Sequence, residues 1–214
     1  MNSGEVKKII YLSVLFAVSV AMSISYLVKI SLISVNYLRI LSYCLSSIML
    51  IWTAYFKWGW KLPVLRMVFN RPNLNGTWVG MAISNWKDAD GRVSDPFRIA
   101  LVIRQSFLSI HITAHTEKII SSSFAEVLTI DRERGQKMLV YLYREAETVR
   151  KKGVLLEGTC SLRLAEICSN PCKMCLKGDF WNSLGNVGSL SVNRINDEYI
   201  DTYEEIDEKT ITRN

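Results

Sequence analysis

The chain has 214 residues, 49% of them hydrophobic, and a formal net charge of +6. Its charged residues are concentrated after residue 56, a distribution typical of a membrane anchor followed by a water-soluble domain. The five cysteines are an odd number and Cys44 lies in an apolar run, so a secreted framework of disulfide bonds is not expected and a reducing compartment is favoured.

The charge is divided unevenly along the chain. Residues 197–214 hold seven acidic and two basic residues and contribute −5, so the remainder carries +11. A basic body beside a membrane favours anionic partners such as phospholipid, nucleotide or nucleic acid. An excess of basic residues is also ordinary in loops at the inner face of a membrane.

Two apolar runs follow the polar residues 1–8. Residues 9–28 contain no charge and, as a helix rising about 1.5 Å per residue, would extend about 30 Å, the thickness of the hydrocarbon core of a bilayer. A second helix over residues 37–56 reaches spanning length if Arg39 extends to the interface. With residues 29–36 as the connection, the sequence predicts a transmembrane hairpin, because backbone groups in lipid must be satisfied within a helix.

Basic residues beside the two runs predict the orientation. Five lie before the first helix or after the second, and two lie between the helices: Lys7, Lys8, Lys57, Lys61 and Arg66 against Lys29 and Arg39. Because positive residues favour the cytoplasmic side, both termini and the domain that follows are expected in the cytoplasm. Residues 57–73 alternate apolar and basic side chains and are expected to lie along the membrane interface. A cleaved signal peptide is disfavoured because the first run exceeds about 15 residues and a second run follows.

From residue 74 the apolar residues recur at every second position, and turn residues become frequent, the pattern of β-strands. Eight strands are predicted, over residues 74–84, 97–105, 108–115, 122–131, 137–145, 154–164, 174–182 and 188–195. Closure into a barrel is favoured because it leaves no exposed strand edge. The predicted fold is a membrane-anchored all-β protein with an eight-stranded antiparallel up-and-down β-barrel over residues 74–196 and a disordered acidic tail over residues 197–214.

No pattern of catalytic residues stands out. His111 and His115 share the polar face of one strand without an acidic residue or cysteine at ligand spacing, so surface histidines are favoured over a metal pair. Several cysteines lie close together: Cys160, Cys168, Cys172 and Cys175. Thiolates at such spacing suit zinc or redox sensing, but incidental cysteines are favoured because a structural zinc site usually has two ligand pairs. We expect no enzymatic activity, metal or cofactor.

The triplet Gly76-Thr77-Trp78 opens the first strand. It resembles the Gly-x-Trp start of lipocalin-like barrels, which implies that Trp78 plugs one end of the barrel. In such barrels a late basic residue packs across the Trp, and Arg194 on the last strand is placed for that role. A structural role is therefore favoured for Trp78 and Arg194, with ligand binding as the alternative.

The later half of the chain carries short motifs in a particular order: Tyr141-Leu-Tyr143, Glu157-Gly158-Thr159, Leu176-Lys-Gly178-Asp-Phe180-Trp181-Asn182, Gly185, Gly188-Ser-Leu190 and Arg194. Behind two apolar runs, this order resembles the two-transmembrane, β-strand-rich effectors of CBASS, the bacterial cyclic-oligonucleotide-based anti-phage signalling system. The resemblance covers nearly the whole chain.

The resemblance implies a minimal eight-stranded barrel that binds a cyclic dinucleotide made by a neighbouring nucleotidyltransferase during infection. Binding is then expected to drive self-association into a homo-oligomer, cluster the helices and disrupt the inner membrane, so that the infected cell stops growing or dies before phage is released. The implied partners are the cyclic nucleotide, membrane lipid and further copies of the chain, and not a nucleic acid polymer. The implied location is the bacterial inner membrane, with several spans and both termini cytoplasmic.

A cyclic dinucleotide has two phosphates and two flat bases, which favour basic and aromatic side chains. Residues of these kinds share strand faces in the barrel region, and we expect ligand contacts from the following: Arg98, Arg104, Tyr141, Tyr143, Arg144, Trp181, Asn182 and Arg194. Any one of them could instead be an ordinary residue on the outer face of a barrel.

Two other functions stay open from the sequence. The Gly-x-Trp likeness also fits a membrane-anchored barrel that carries a lipid or other apolar molecule, which would need an apolar cavity. A non-catalytic scaffold whose barrel binds a protein partner is the third possibility. Small residues four apart in the apolar runs, such as Ala17 and Ala21, favour close helix packing, either within one hairpin or between copies.

Overall fold

The computed structural model describes residues 3–28, 37–62, 65, 68–87, 91–117, 119–131, 134–145, 156–167 and 173–200. Expectations for the connection 29–36, for Cys168 and Cys172 and for most of the acidic tail lie outside the described residues. The chain divides into two compact units. The helical unit is Met1–Pro72 with Ser106–Leu108, and the barrel unit is Asn73–Gln105 with Ser109–Asn214.

Two helices form most of the helical unit. Helix α1 covers Ser3–Val28 and helix α2 covers Tyr37–Lys57, followed by a short 3-10 turn over Gly59–Lys61. Within α1, Gly4–Ile24 has a mean hydropathy of 1.7 and is not buried, so this helix is long and apolar enough to cross a membrane. It is the one such helix among the described residues, so a second span is not established.

The two helices pack against each other through small and polar side chains. Trp52 donates its Nε1–H to Ser13 Oγ at 2.8 Å, and Cys44 Sγ lies 3.6 Å from the carbonyl oxygen of Ala17. Small and hydroxyl-bearing residues let helix backbones approach closely. The contact between α1 and α2 is therefore packing within one chain, one of the two arrangements that the small residues of the apolar runs allow.

An aromatic cluster follows the end of α2 in the helical unit. Trp60, Phe69 and Phe107 are buried, and the rings of Phe107 and Phe56 are stacked with centroids 4.9 Å apart. The guanidinium of Arg71 lies over the Phe107 ring at 5.1 Å from its centroid. Aromatic pairs at such separations add about 0.5–1.5 kcal/mol beyond their burial, so Phe107 fixes the segment Ser106–Leu108 within this unit.

The barrel unit contains eight strands. They are β1 (Gly76–Ser84), β2 (Phe97–Gln105), β3 (Ile110–His115), β4 (Ile120–Asp131), β5 (Gln136–Glu145), β6 (Glu157–Ile167), β7 (Lys173–Asn182) and β8 (Val187–Asn196). Each strand pairs antiparallel with the next, and β8 pairs with β1, so the sheet closes on itself. The predicted eight-stranded antiparallel up-and-down barrel is confirmed, and β6 lies three residues further along the chain than predicted.

The seam between β3 and β4 is the shortest in the barrel. It has three residue pairs in the described part of the chain, whereas every other seam has six to ten. A β-bulge between Ser123 and Ala125 redirects β4 beyond these pairs. There the N–H of Ile112 donates to Ser123 Oγ at 2.8 Å, so a side chain of β4 takes the place of a backbone partner.

One end of the barrel is filled by large side chains, and we call it the closed end. Trp78, Leu101 and Ile103 have no exposed surface there, and Trp78 donates its Nε1–H to the carbonyl oxygen of Leu74 at 2.9 Å. Arg194 lies opposite Trp78 on β8. The Gly-x-Trp triplet therefore has the plugging role that its likeness to lipocalin-like barrels implied.

The first four residues of the predicted disordered tail are ordered instead. Ile200 is buried against Val79 and Ala100, outside the main core. Thr77 Oγ1 donates to the carbonyl oxygen of Glu198 at 2.8 Å and accepts from the N–H of Ile200 at 3.2 Å. Burial of the Ile200 side chain against β1 and β2 stabilises this short segment. The acidic composition of the tail gives no indication of that burial.

Replacing Trp78 by alanine is expected to lower the free energy of unfolding by about 3–5 kcal/mol, because a fully buried indole leaves a cavity. Urea unfolding of the full-length protein in detergent measures this loss. Trp86 is 48% exposed, so the matched variant Trp86→Ala is expected to change the free energy by no more than about 0.5 kcal/mol. Equal losses in the two variants would contradict the plugging role of Trp78.

Candidate functional site

The end of the barrel opposite the closed end is open to solvent, and we call it the mouth. At this end β5 finishes at Glu145 and β6 starts at Glu157. Tyr143 and Phe180 pack against the main core from the mouth and remain partly exposed, in contrast to the fully buried closed end. This end is therefore the less completely buried one among the residues that the structure describes.

Strand pairing gathers the sequence motifs at the mouth. Opposed residues on neighbouring strands form two adjacent rows. The outer row crosses β5, β6 and β7 and consists of Tyr143, Gly158 and Asn182. The deeper row crosses β5, β6, β7 and β8 and consists of Tyr141, Cys160, Phe180 and Gly188. Opposed residues of antiparallel strands point to the same face of a sheet, and Tyr141 belongs to the core. Both rows therefore face the interior, and the order of the motifs reflects one structural layer.

Two glycines create the space that the aromatic rings occupy. A Cβ atom at Gly158 would overlap Cζ and Oη of Tyr143, and a Cβ atom at Gly188 would overlap Cζ of Phe180. The rings thus lie directly over glycine backbone on neighbouring strands. This arrangement presents flat aromatic surface at the mouth, which suits stacking against a planar ligand.

The hydroxyl groups of Tyr141 and Tyr143 and the thiol of Cys160 are uncharged at neutral pH. Burial raises the pKa of the Cys160 thiol to about 12, although the hydrogen bond from Tyr141 opposes the shift. Burial also raises the pKa of Tyr143 to about 12, with Cys160 as a second cause, and raises that of Tyr141 well above its usual value. All three groups stay protonated at neutral pH, so they can donate hydrogen bonds, and the thiol is not a reactive nucleophile.

A hydrogen-bonded polar pair lies in the barrel wall beside these tyrosines. Glu126 of β4 is opposite Tyr141 and therefore faces the interior. Its Oε1 accepts a hydrogen bond from the hydroxyl of Ser123, across the β-bulge. His111 of β3 alternates with the core residues Ile110 and Ile112 and so belongs to the outer face, and its Nδ1 is 3.9 Å from the same carboxylate oxygen. The carboxylate therefore lies within the barrel wall at the seam between β3 and β4, beside the tyrosines.

Of the eight sequence-predicted contact residues, Tyr141 and Tyr143 lie together at the mouth, with ring centroids 6.2 Å apart. Arg144 comes next after Tyr143 and so lies on the outer face of the rim, where it binds Glu157 Oε1 at 2.6 Å and covers the Phe124 ring at 5.2 Å. Tyr141 and Tyr143 are therefore the part of the predicted set that the structure brings together inside the barrel, with Arg144 next to them on the outer rim.

Asn182 and Trp181 end β7 but do not point the same way. The Oδ1 of Asn182 accepts from the backbone N–H groups of Leu184 and Asn186 at 3.1 Å each, which stabilises the β7–β8 turn. Trp181 is on the opposite face of the strand from Asn182 and is 47% exposed. Asn182 therefore shapes the mouth through the turn, and Trp181 lies on the outer wall.

The other three predicted residues are distributed elsewhere. Arg98 and Arg104 alternate with the core residues of β2 and so lie on its outer face, where Arg104 covers the Tyr199 ring at 5.1 Å. Arg194 is at the closed end, where it donates to the carbonyl oxygen of Asn75 and pairs with Asp197 at 2.7 Å. A single site cannot include all eight residues.

Five residues of the mouth were not among the sequence-predicted contacts: Ser123, Glu126, Gly158, Phe180 and Gly188. The last three belong to the recognised motifs, and that membership was a signal that could have identified them. Ser123 and Glu126 carry no sequence signal, because the bulge that brings them together follows no pattern of residue types.

The histidines and cysteines do not assemble a metal site in the described part of the chain, where no group of three or more His, Cys, Asp or Glu residues could hold an ion. Cys160 faces the interior, whereas Cys175 is next to the inward-facing Leu176 and therefore points outward. The two thiols are on opposite faces of the sheet, so they cannot bind one metal together.

A second concave surface lies on the outside of the barrel across β1, β8 and β7. This groove has a volume of about 410 Å³ and a mostly apolar lining that includes Met81, Ile83 and Pro96, with Lys177 and Asp179 as its charged residues. It contains no aromatic ring. It therefore suits an apolar chain better than a nucleotide base.

A small closed barrel with aromatic side chains at one end is a fold that can hold one small ligand. A family model for the Cap15 cyclic dinucleotide receptor domain matches residues 69–194, which is more than half of the chain. The protein therefore belongs to the Cap15 family of CBASS effectors, which confirms the predicted resemblance for the receptor domain but not for the two membrane spans. The family description is that of a receptor, a binding role and not a catalytic one. A search among proteins of curated function finds no match.

The free energy of unfolding is expected to fall as the pH rises from about 9 to about 12. The folded-state pKa values of Cys160 and Tyr143, about 12, lie above their ordinary values of 9.0 and 10.0, so the unfolded chain loses these protons first. Their stabilising effect is complete below the lower values and is lost as the pH passes through the higher ones. Urea unfolding over this pH range measures the fall. Tyr143→Phe should flatten the curve above about pH 10, and an unchanged curve in this variant would contradict the assignment to Tyr143.

Proposed function

We propose that this protein is a CBASS effector that detects a cyclic dinucleotide at the mouth of its barrel and then disrupts the inner membrane. The observation that carries the proposal is the overlap of the receptor-domain match with the aromatic mouth. The match to residues 69–194 includes the strands on which Tyr143 and Phe180 lie over glycines. Neither feature alone points to this ligand as strongly as the two together.

The mouth suits the bases of such a ligand. Stacking of a base on an aromatic side chain contributes about 1–3 kcal/mol, and Tyr143 on β5 and Phe180 on β7 offer two rings on either side of β6. The protonated hydroxyls of Tyr141 and Tyr143 add hydrogen-bond donors inside the barrel. An interior with these groups recognises a flat, polar-edged molecule in preference to a lipid chain.

Arg144 is the basic residue that we assign to a phosphate. Its ion pair with Glu157 lies at the rim, with the two side chains 52% and 38% exposed. Exposed pairs of this kind contribute at most about 1 kcal/mol, so a phosphate can replace the carboxylate at little cost and form charge-assisted hydrogen bonds. Arg98, Arg104, Trp181, Asn182 and Arg194 stay predicted contacts for a ligand that lies between barrels.

Self-association would follow from ligand binding if the assembled form binds more tightly. A ligand present at about 100 times its dissociation constant stabilises the form it binds by about 2.7 kcal/mol per site. Helix α1 exposes Ile10, Val14 and Val18, which suit contact with lipid or with other copies. In this mechanism α2 is a second span, both termini are cytoplasmic, residues 57–73 lie along the interface, and a neighbouring nucleotidyltransferase supplies the ligand.

The alternative function is a membrane-anchored carrier of a lipid or other apolar molecule. The outer groove of about 410 Å³, lined by Met81, Ile83 and Pro96, is the observation that favours it. The barrel interior does not favour it, because Leu101, Leu162 and Val192 fill the core with no exposed surface. Native mass spectrometry of the extracted protein distinguishes a co-purified lipid from a nucleotide.

Replacing Tyr143 by alanine is expected to weaken binding of a cyclic dinucleotide about tenfold or more, because the stacking surface at the mouth is lost. Isothermal titration calorimetry of the full-length protein in detergent, with cyclic di-GMP, cyclic di-AMP and cyclic GMP–AMP, measures the change. Tyr199→Ala at the closed end is the matched control. If Arg104→Ala or Trp181→Ala abolishes binding and Tyr143→Ala does not, the ligand lies on the outer wall.

Ligand addition is expected to increase the mass of the full-length protein in solution and to release dye from liposomes that contain it. Light scattering and fluorescence dequenching measure the two effects. The same liposomes with Tyr143→Ala should release no dye at a ligand concentration that saturates the wild type. Tight binding without a change in mass or any leakage would contradict the membrane mechanism and leave the receptor role intact.

A further inference from the structure

The carboxylate of Glu126 lies in the barrel wall next to the mouth, and no lysine or arginine of the described residues is paired with it. Its side chain is 18% exposed, and its one ion-pair contact among the described residues is with His111 at 3.9 Å. A carboxylate this far removed from water is costly unless hydrogen bonds satisfy it. Its Oε1 accepts from Ser123, whereas its Oε2 has no hydrogen bond within the described ranges. Oε2 of Glu126 is therefore available to accept a hydrogen bond from a ligand.

Ser123 fixes the position of this carboxylate. The N–H of Ile112 donates to Ser123 Oγ at 2.8 Å, which leaves the serine hydroxyl to donate to Glu126. Ser123 is itself only 5% exposed, and the β-bulge between Ser123 and Ala125 sets the spacing. The acceptor is thus oriented before any ligand arrives, which reduces the entropy lost on binding.

The surroundings of Glu126 suit a planar group that carries hydrogen-bond donors. Glu126 lies opposite Tyr141 on the neighbouring strand, and Ser123 lies opposite Tyr143. A ring stacked at the mouth on Tyr143 would have its edge directed at the barrel wall, where the carboxylate is. Enzymes and receptors that take up a single base read it in this way, by stacking on its faces and hydrogen bonds to its edge.

The two oxygens of a carboxylate favour one base over the others. Guanine presents two adjacent donors on its Watson–Crick edge, N1–H and the N2 amino group, and a carboxylate accepts both in parallel. Adenine and cytosine present one amino group beside an acceptor nitrogen, which would face a carboxylate oxygen unfavourably. Uracil presents a single N–H between two carbonyl oxygens.

We propose that Glu126, oriented by Ser123, selects a guanine base in the cyclic dinucleotide that binds at the mouth. The inference rests on the proposed receptor function and adds to it the identity of one base and the residue that reads it. Glu126 acts by direct contact with the ligand, and Ser123 acts through Glu126 as a positioning residue.

Binding of cyclic di-GMP and cyclic di-AMP to the full-length wild type and to Glu126→Gln tests the proposal. The wild type is expected to bind cyclic di-GMP at least about tenfold more tightly, because a bidentate base contact discriminates by about one to two powers of ten. Glu126→Gln keeps an acceptor for Ser123 but places an amino group against a guanine donor. It should lose that preference while its affinity for cyclic di-AMP changes less than about threefold.

Asp131→Asn, at the far end of the same strand, is the matched control and should keep the preference of the wild type. A test on the ligand side does not depend on the folding of any variant. Cyclic di-IMP lacks the N2 amino group and retains N1–H, so the wild type should bind it about tenfold more weakly than cyclic di-GMP.

The possible failures are distinct. If the wild type binds cyclic dinucleotides without preferring guanine, or if cyclic di-IMP binds as well as cyclic di-GMP, the role of Glu126 is overturned and the receptor function stands. If Glu126→Gln folds and keeps the preference for guanine, the role is overturned as well. If no cyclic dinucleotide binds to the wild type, the receptor function fails and the inference fails with it.

Discussion

The limited space inside a closed eight-stranded barrel is the constraint on which the rest of the structure depends. A barrel of this size has room for side chains or for one small ligand, but not for both along its whole length. At the closed end Trp78 takes the space completely. At the mouth Gly158 and Gly188 contribute no side chain, and the rings of Tyr143 and Phe180 lie in the room that they leave. The choice of glycine or tryptophan therefore decides which end is plugged by an indole and which end is lined by rings that lie over glycine backbone.

The polar groups of the interior lie between these two ends of the barrel. Tyr141, Cys160 and Glu126 lie in one row across three strands, between the plug and the mouth. Apolar residues of similar volume would pack there at lower cost, because each buried polar group must find a hydrogen-bond partner. The thiol and the tyrosine hydroxyl are linked to each other, and the carboxylate is linked to Ser123. A fixed polar row in an otherwise apolar barrel is more useful for recognition than for stability.

Much of the fold could be predicted from the sequence because burial alternates along a strand. The two-residue period of Phe97, Ile99, Leu101 and Ile103 marks β2 directly, and these residues do face the core. Trp78 could be assigned to the plug from its triplet alone. In each case the decisive information lies within a few neighbouring residues.

The site could be predicted only in part, because it depends on pairings between distant segments. Alternation shows that Arg98 and Arg104 share a face, but not that the face is the outer one. The bulge between Ser123 and Ala125 shifts the register of β4 by one residue, which turns Glu126 to the interior against the simple alternation. The burial of Ile200 likewise depends on Val79 and Ala100, which are a hundred or more positions earlier in the chain, so acidic composition alone predicted disorder there.

The short seam between β3 and β4 makes the mechanical strength of the barrel uneven around its circumference. Three residue pairs hold β3 to the described part of β4, whereas ten hold β4 to β5. Local opening is least costly where the fewest backbone bonds must break, so the wall of the barrel is expected to part along this seam before any other. Ser123 and Glu126 lie on β4 and Ile112 lies on β3, so such opening would separate the polar pair from β3 and leave Trp78 at the closed end in place.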